Sequence, residues 1–165
     1  MRGARAPFSV GGLDEAGRMP WRARRRLRAV RGRGGTGVVL VAEIREPVRG
    51  FTDRAGIVGI HEDGQEICSR TRFAKAPTFV GLPPGRHELE FSVLRWRARG
   101  TSSFRRVVEL REGDVLVARC DPVQPHTFYR RSPSVDTWFL GVLRPGEDVS
   151  DSFKTRRPPP PTVAP

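Results

Sequence analysis

AGIVGIHEDGQEI, residues 55–67, decides the fold class of this 165-residue chain. Asp63-Gly64 separates two short apolar runs, and the pair suits a type I′ turn, which requires positive φ at both central residues. From Gly37 onward, apolar and polar residues alternate with a period of two, and turn signals recur at short intervals. This pattern predicts an antiparallel β-structure in which residues 57–70 form the clearest hairpin.

The two-residue turn also predicts the register of this hairpin. It places Ile60 opposite Ile67 on one face and His61 opposite Glu66 on the other. Cys68 then falls on the same face as His61. Two potential ligands are too few for a metal site, because zinc takes three or four protein ligands. We therefore expect structural polar residues here and no metal.

Runs on both sides of the hairpin predict further strands. Residues 38–44 carry apolar side chains on both faces of the predicted strand, which favours a strand buried on both sides. Farther along, Leu89, Phe91 and Val93 share one face, and the alternation inverts at Leu94, which indicates a bulge or a strand end. The remaining predicted strands are 104–110 and 115–120, paired as a second hairpin, and 136–143.

Seven or eight short strands in about 110 residues, without an internal helix, predict an all-β fold. We expect a single antiparallel β-sandwich, Ig-like or prealbumin-like, over residues 37–145. A domain of this size hides about two thirds of its unfolded surface, so it needs no disulfide or metal to fold. An arm and hinge rich in Arg and Gly (1–36) precede the domain, and a Pro-rich tail (146–165) follows it.

The segment FVGLPPGRHEL, residues 79–89, resembles the F-x-G-L-P-P-G-x-H-x-L line of PEGA-type and carboxypeptidase-regulatory-like (prealbumin-like) sandwich repeats. Pro84-Gly85 within it suits the central positions of a type II turn. The resemblance covers about residues 37–123. It implies an accessory β-sandwich module, and no site residue is carried over, because these modules share no catalytic residues.

The N-terminal arm contains one helical segment. Residues 1–18 are rich in Gly, Ala and Arg and lack periodicity, which predicts disorder. Met19, Ala23, Leu27 and Val30 then recur at helical spacing, with Arg on the other faces. The glycines that follow end this helix.

Those glycines, GRGGTG at residues 32–37, match the G-x-G-x-x-G spacing of dinucleotide-binding loops. Such a loop follows a strand and opens a helix, so that the pyrophosphate meets the helix N-terminus. Here an Arg-rich run precedes the glycines and a strand follows them. We therefore interpret the segment as a flexible hinge, expect no cofactor, and expect Ala at Gly34 and Gly37 to leave folding nearly unchanged.

The net charge of +12 is unevenly distributed. Residues 1–35 hold ten Arg against two carboxylates, whereas residues 36–150 carry a net charge of +2. A basic terminal segment is typical of binding to nucleic acid or an anionic membrane surface; the alternative is a solvated tail that reflects a general bias towards Arg. The candidate polyanion-binding residues are Arg22, Arg24, Arg25, Arg26, Arg28, Arg31 and Arg33.

A second basic cluster surrounds the expected loop at residues 97–103. Trp96 and Phe104 flank this loop, so positive charge and aromatic surface converge there. Such a surface can bind an anionic partner or a sugar, and the alternative is a basic loop with core aromatics at its base. The candidate residues are Arg95, Trp96, Arg97, Arg99, Arg105 and Arg106.

The sequence contains no recognised nucleophile–base motif, so we expect a protein that is not an enzyme. The first hypothesis is a β-sandwich interaction module that binds an unidentified protein partner. The second is binding of nucleic acid or an anionic membrane surface through the arm. The lack of a signal peptide or long apolar run predicts a cytoplasmic location, with association with the inner membrane surface as an alternative.

Overall fold

The computed structural model describes residues 8–13, 19, 21–42, 55–71, 77–95, 102–122 and 136–147. These residues form nine strands and one helix. In chain order, they are β1 (Phe8–Gly12), α1 (Trp21–Gly32), β2 (Gly37–Ala42), β3 (Ala55–Glu62), β4 (Gln65–Thr71), β5 (Thr78–Gly81), β6 (Gly85–Arg95), β7 (Ser102–Leu110), β8 (Val115–Pro122) and β9 (Asp136–Leu143). Within these ranges, no helix combines the length and the apolar character of a membrane-spanning segment.

The strands form two sheets, which confirms the all-β prediction. The first sheet has the order β1-β9-β8-β2-β5 and the second β4-β3-β6-β7. Neighbours are antiparallel except β1 with β9 and β2 with β8, which are parallel. The expectation of wholly antiparallel pairing is therefore wrong. Between β2 and β8 the chain passes through the second sheet, and parallel neighbours require such a long crossover.

The β3–β4 hairpin has the predicted turn, but its register shifts by one residue. Asp63 and Gly64 have φ values of 51° and 76°, as a type I′ turn requires. His61 lies opposite Glu66 as predicted, whereas Ile60 lies opposite Cys68, because the register shifts between Ile60 and His61. The predicted pairing of Ile60 with Ile67 is wrong, and so is the shared face of His61 and Cys68. Cys68 is buried in the core instead.

The predicted second hairpin is wrong, because its two strands belong to different sheets. β7 pairs with β6 in the second sheet, whereas β8 lies between β2 and β9 in the first. The four residues 111–114 cross between the sheets, and the Asp114 carboxylate accepts a hydrogen bond from the Arg111 amide at 2.9 Å. The segment 82–84 makes a similar crossing from β5 to β6. The predicted type II turn at Pro84-Gly85 is wrong, because Gly85 has a φ of 143°, far from the value of about 80° that this turn requires, and it already belongs to β6.

Two apolar clusters cover the two faces of the first sheet. The first contains residues of both sheets, such as Leu40, Phe91 and Trp138, none of which is exposed. The second lies between the first sheet and α1. β2 contributes to both clusters at alternate positions, with Val39 in the second. This arrangement confirms that β2 is buried on both faces, and the predicted faces of β6 and the predicted strand 136–143 are also confirmed.

Helix α1 is docked on the outer face of the first sheet. Met19, Ala23, Leu27 and Val30 are all buried in the second cluster, which confirms the predicted apolar face. A helix of 12 residues is marginal in isolation, and burial of a Leu or Met side chain stabilises by about 1.5–3 kcal/mol, so docking maintains it. Disorder was a wrong prediction for residues 8–13, because residues 8–12 form β1 at the edge of the first sheet.

The glycines after α1 are a helix cap, not a flexible hinge. The Gly35 amide donates to the Val30 carbonyl at 3.1 Å, and the Gly34 amide donates to the Arg31 carbonyl at 3.0 Å. With φ of 68° at Gly34, this is a Schellman motif. The segment therefore follows a helix C-terminus, whereas a dinucleotide loop leads into a helix N-terminus. Gly37 packs against β5 without space for a side chain.

Candidate nucleic-acid interface

The docked orientation of α1 directs its arginines away from the first sheet. A helix turns 100° per residue, and Ala23, Leu27 and Val30 occupy the side that faces the sheet. Apart from these three residues and Trp21, Ala29 and Gly32, all residues from 21 to 33 are Arg. Exposed arginines occupy the solvent side, and we call them the basic face: Arg22, Arg25, Arg26, Arg28 and Arg33.

The other two predicted arginines lie at the margin of the helix and are half-buried. Arg31 donates from its guanidinium to the carbonyl of Arg144 at 2.6 Å and to that of Glu147. It therefore fastens the last turn of α1 to the residues that follow β9. The Nε of Arg24 is buried without a hydrogen-bond partner among the described residues. Both side chains are thus less available to a ligand than the basic face.

The charge of the basic face is not neutralised within the described part of the chain. No acidic residue occurs in α1, and the ion pairs formed by described residues lie elsewhere, on the second sheet. Arg22 and Arg26 are i,i+4 neighbours, and Arg25 and Arg28 are i,i+3 neighbours. Each like-charge pair destabilises a helix by about 0.2–0.5 kcal/mol. A bound polyanion would relieve this repulsion.

Trp21 interrupts the basic face with an exposed aromatic ring. Its side chain is 58% exposed, and the Arg22 guanidinium lies over the ring at 5.6 Å from the centroid. Beside it is a shallow depression of about 510 Å³ between α1 and Pro77. Its lining residues are Trp21, Arg22, Arg25, Arg26, Ala29 and Pro77. Aromatic and cationic groups therefore share one surface, which the sequence suggested only through the proximity of Trp21.

The second predicted basic cluster does not join the first. Trp96, Arg97 and Arg99 lie outside the described residues, and only the backbone of Arg95 is described. Arg105 is on the second sheet, whereas α1 covers the far face of the first.

Within this second cluster, Arg105 is paired and the half-buried Phe104 packs against the core. The guanidinium of Arg105 lies 3.4 Å from a carboxylate oxygen of Glu90 and 3.7 Å from one of Glu88, so its charge is balanced. Phe104 stacks on Phe91 with ring centroids 5.1 Å apart. The arrangement matches the alternative in which the aromatic residue supports the core.

Arg106 lies at a groove between the edges of the two sheets. β7 and β1 are edge strands, and the groove between them has a volume of about 530 Å³. Gly11 and Gly12 form one wall, Arg106 and Val107 the other, and side chains of β9 form the floor. Val107 is 50% exposed at its rim. The sequence could not reveal this groove, because β1 was not predicted.

His87 forms a structural clasp between two connections. Its Nδ1–H donates to Glu62 at 2.6 Å, and its Nε2–H donates to the Pro83 carbonyl at 2.8 Å. Burial lowers the pKa of His87, but the hydrogen bonds to Pro83 and Glu62 and the nearby charge of Glu109 outweigh it, so the pKa lies above 6.5. Both nitrogens face acceptors, which favours the charged imidazole. This histidine therefore supports the fold.

The remaining potential ligands form no metal site among the described residues, where no group of three His, Cys, Asp or Glu side chains could hold an ion. His61 and Cys68 lie on opposite faces of the hairpin, and Cys120 is buried in the core. His126 lies outside the described residues. No protein-family model, curated protein or solved structure matches the chain.

Proposed function

We propose that the protein binds nucleic acid, with little sequence preference, through the basic face of α1. The observation that carries this proposal is the docking of α1: its apolar side is buried in the domain, and its exposed side carries arginines without compensating carboxylates among the described residues. A guanidinium binds phosphate in a bidentate manner, and each phosphate neutralised releases counterions. A fixed helix presents these groups together.

The dimensions of α1 fit a nucleic-acid backbone. A helix of 12 residues is about 18 Å long, and phosphates of one DNA strand recur about every 3.4 Å along the axis. The helix therefore spans about five phosphates, which is close to the four arginines of the basic face within α1 together with Arg33 just after it. An anionic membrane is less suitable, because interfacial helices insert their apolar side into the lipid. Here that side, including Leu27 and Met19, is buried.

The test is binding of a fluorescein-labelled oligonucleotide, measured by anisotropy between 50 and 200 mM salt. If five phosphates are neutralised, log K falls with log salt at a slope of about −3.5 to −4.5, or about a hundredfold or more over this range. Arg25→Gln/Arg28→Gln should make the slope shallower by about 1.4–1.8. Deleting residues 1–35 is unsuitable, because α1 contributes to the second apolar cluster and β1 pairs with β9 in the first sheet.

Arg105→Gln/Arg106→Gln is the matched control, because it removes the same charge from exposed residues of the second sheet. It should leave the affinity and slope close to those of the wild type. Equal losses in the two double variants would indicate a response to net charge alone and would refute a specific interface. Binding to anionic vesicles with an affinity equal to that for the oligonucleotide would refute the nucleic-acid assignment.

We also propose that the two sheets form a β-sandwich of the PEGA or prealbumin-like type. The proposed location of the protein is the cytoplasm. The apolar cluster that contains residues of both sheets supports this arrangement. The LPPG segment at residues 82–85 supports the likeness, since it makes a crossing between the sheets. The proposal includes no catalytic step.

A second candidate function is protein binding at the groove between β1 and β7. Two edge strands border this groove, and an edge strand presents backbone groups that an extended peptide can pair with. The proposed partner is therefore an extended segment that adds to β7 as a strand. Peptides selected from a phage-displayed library should lose binding to Val107→Glu and retain it to Leu94→Glu, which changes a similarly exposed residue. Unchanged peptide binding to both variants would contradict the proposal.

A further inference from the structure

Trp21 occupies an unusual position for a tryptophan. Its side chain is 58% exposed, whereas the side chain of Trp138, in the core, is fully buried. Large aromatic side chains left in solvent are typical of binding surfaces that have a polar rim. The Arg22 guanidinium lies over the ring at 5.6 Å from its centroid, and more than half of the residue remains exposed to solvent. The ring is therefore available for stacking.

The depression beside Trp21 combines an apolar floor with a cationic rim. Trp21, Arg25 and Ala29 recur at i, i+4 and i+8, so they follow one line along α1, and Arg22 and Arg26 follow the adjacent line. Pro77 closes the opposite side. The depression has a volume of about 510 Å³, which lies within the range of small-molecule sites. The depression is open, which suits a flat ring better than an acyl chain.

A planar group attached to a phosphate matches this chemistry. The indole ring and the guanidinium planes stack on a nucleobase, and neighbouring arginines bind its phosphates. An acidic peptide would use the arginines but would leave the aromatic ring without a role. Bases of a duplex are stacked within the helix, so only an unpaired base can reach the depression.

We infer that the depression between Trp21 and Pro77 is a stacking site for an unpaired nucleobase, so that the protein prefers single-stranded nucleic acid to duplex. This inference rests on the proposed function and adds the class of nucleic acid. The basic face provides affinity for the phosphates of either form. The Trp21 site adds the preference between them.

The test compares three labelled probes of equal length: oligo-dT, an abasic phosphodiester and a duplex. Stacking of one base changes affinity by about 5- to 150-fold. The wild type should bind oligo-dT about tenfold more tightly than the abasic probe. Trp21→Ala should remove this difference without changing affinity for the abasic probe. Trp21→Phe should retain most of it, and Leu94→Ala, at another exposed apolar residue, should retain all of it.

The outcomes separate this inference from the proposed function. Equal, salt-dependent binding of oligo-dT and the abasic probe by the wild type would overturn the stacking site and leave phosphate binding by the basic face intact. Preference for the duplex over oligo-dT would also overturn it. Absence of binding to all three probes would overturn both proposals. Equally tight binding of poly-glutamate would replace a nucleic acid with an acidic protein as the ligand.

Discussion

Replacing Gly37 with Ala perturbs the point where the docked N-terminal segment enters the first sheet. A Cβ at this position would overlap the carbonyl oxygen of Val80 and lie 2.9 Å from the Cα of Gly81. Both atoms belong to the backbone of β5, so no side-chain rotation can relieve the overlap. The φ of 157° is also one that residues other than glycine rarely adopt. β2 and β5 must therefore separate or the backbone must change its course.

The expected loss of stability is large for so small a substitution. Overpacking typically destabilises by about 1–3 kcal/mol, and unfavourable backbone conformation adds about 1–3 kcal/mol. We expect Gly37→Ala to reduce the free energy of unfolding by about 3 kcal/mol, or to lower Tm by about 10 °C. That is a large part of the stability of a typical domain, which is about 5–15 kcal/mol.

Two neighbouring glycines provide matched controls, because each undergoes the same chemical change. A Cβ at Gly34 has open space, but φ is 68°, so Gly34→Ala should cost about 1 kcal/mol. A Cβ at Gly32 also has open space within α1, where Ala is favoured over Gly by about 0.5–1 kcal/mol. We therefore expect Gly32→Ala to stabilise the protein slightly.

The assay is urea unfolding monitored by tryptophan fluorescence, in which buried Trp138 is a reporter. The expected order of stability is Gly32→Ala, wild type, Gly34→Ala and Gly37→Ala, from highest to lowest. A Gly37→Ala protein as stable as Gly34→Ala would refute the close packing of β2 on β5. Wild-type stability in both Gly34→Ala and Gly37→Ala would restore the interpretation of residues 32–37 as a hinge.

Three further predictions concern the clasp and the docking of α1. The pKa of His87 is raised above 6.5 in the folded protein, so the stability that His87 contributes is complete below that pH and is lost as pH rises through the folded pKa. Urea unfolding at about pH 5.5 and 8.5 should therefore show a larger loss of stability with rising pH for the wild type than for His87→Gln. Equal losses in the two proteins would contradict this role of His87. Leu27→Ala should cost about 2–5 kcal/mol in thermal unfolding, whereas Arg28→Ala, at an exposed position, should change stability by less than about 0.5 kcal/mol. Arg31→Met should cost about 1 kcal/mol and reduce hydrogen-exchange protection in the last turn of α1, since it removes the bonds to Arg144 and Glu147; unchanged protection would contradict this role.

Local patterns predicted most elements of this fold, with β1 as the exception, but few of the pairings between strands. The alternation in β6 and the spacing of Met19, Ala23, Leu27 and Val30 identify buried faces, because burial imposes a period of two or 3.6 on the residues themselves. The connection at residues 111–114 has the residues of a hairpin turn, yet it crosses between sheets. Turn residues report the local backbone conformation and carry no information about which sheet receives the next strand.

Much the same limit applies to the candidate site. The arginines were visible in the sequence, whereas their availability depends on which side of α1 is docked. Arg31 binds backbone carbonyls and Arg105 binds carboxylates, and both contacts join residues that are distant in the chain or in different strands. Pro77, which completes the Trp21 depression, comes from the segment before β5. Such sites arise only when the chain has folded.

Photo-cross-linking reports which part of the protein the nucleic acid contacts, and so distinguishes binding at α1 from binding elsewhere. Full-length protein would be irradiated with a 4-thiouridine oligonucleotide at low salt, digested and analysed by mass spectrometry. We expect cross-links in residues 21–33 that are weaker in Arg25→Gln/Arg28→Gln, which keeps three of the five exposed arginines, and unchanged in Arg105→Gln/Arg106→Gln. Cross-links confined to Ser102–Leu110 or to other strands of the second sheet would contradict it.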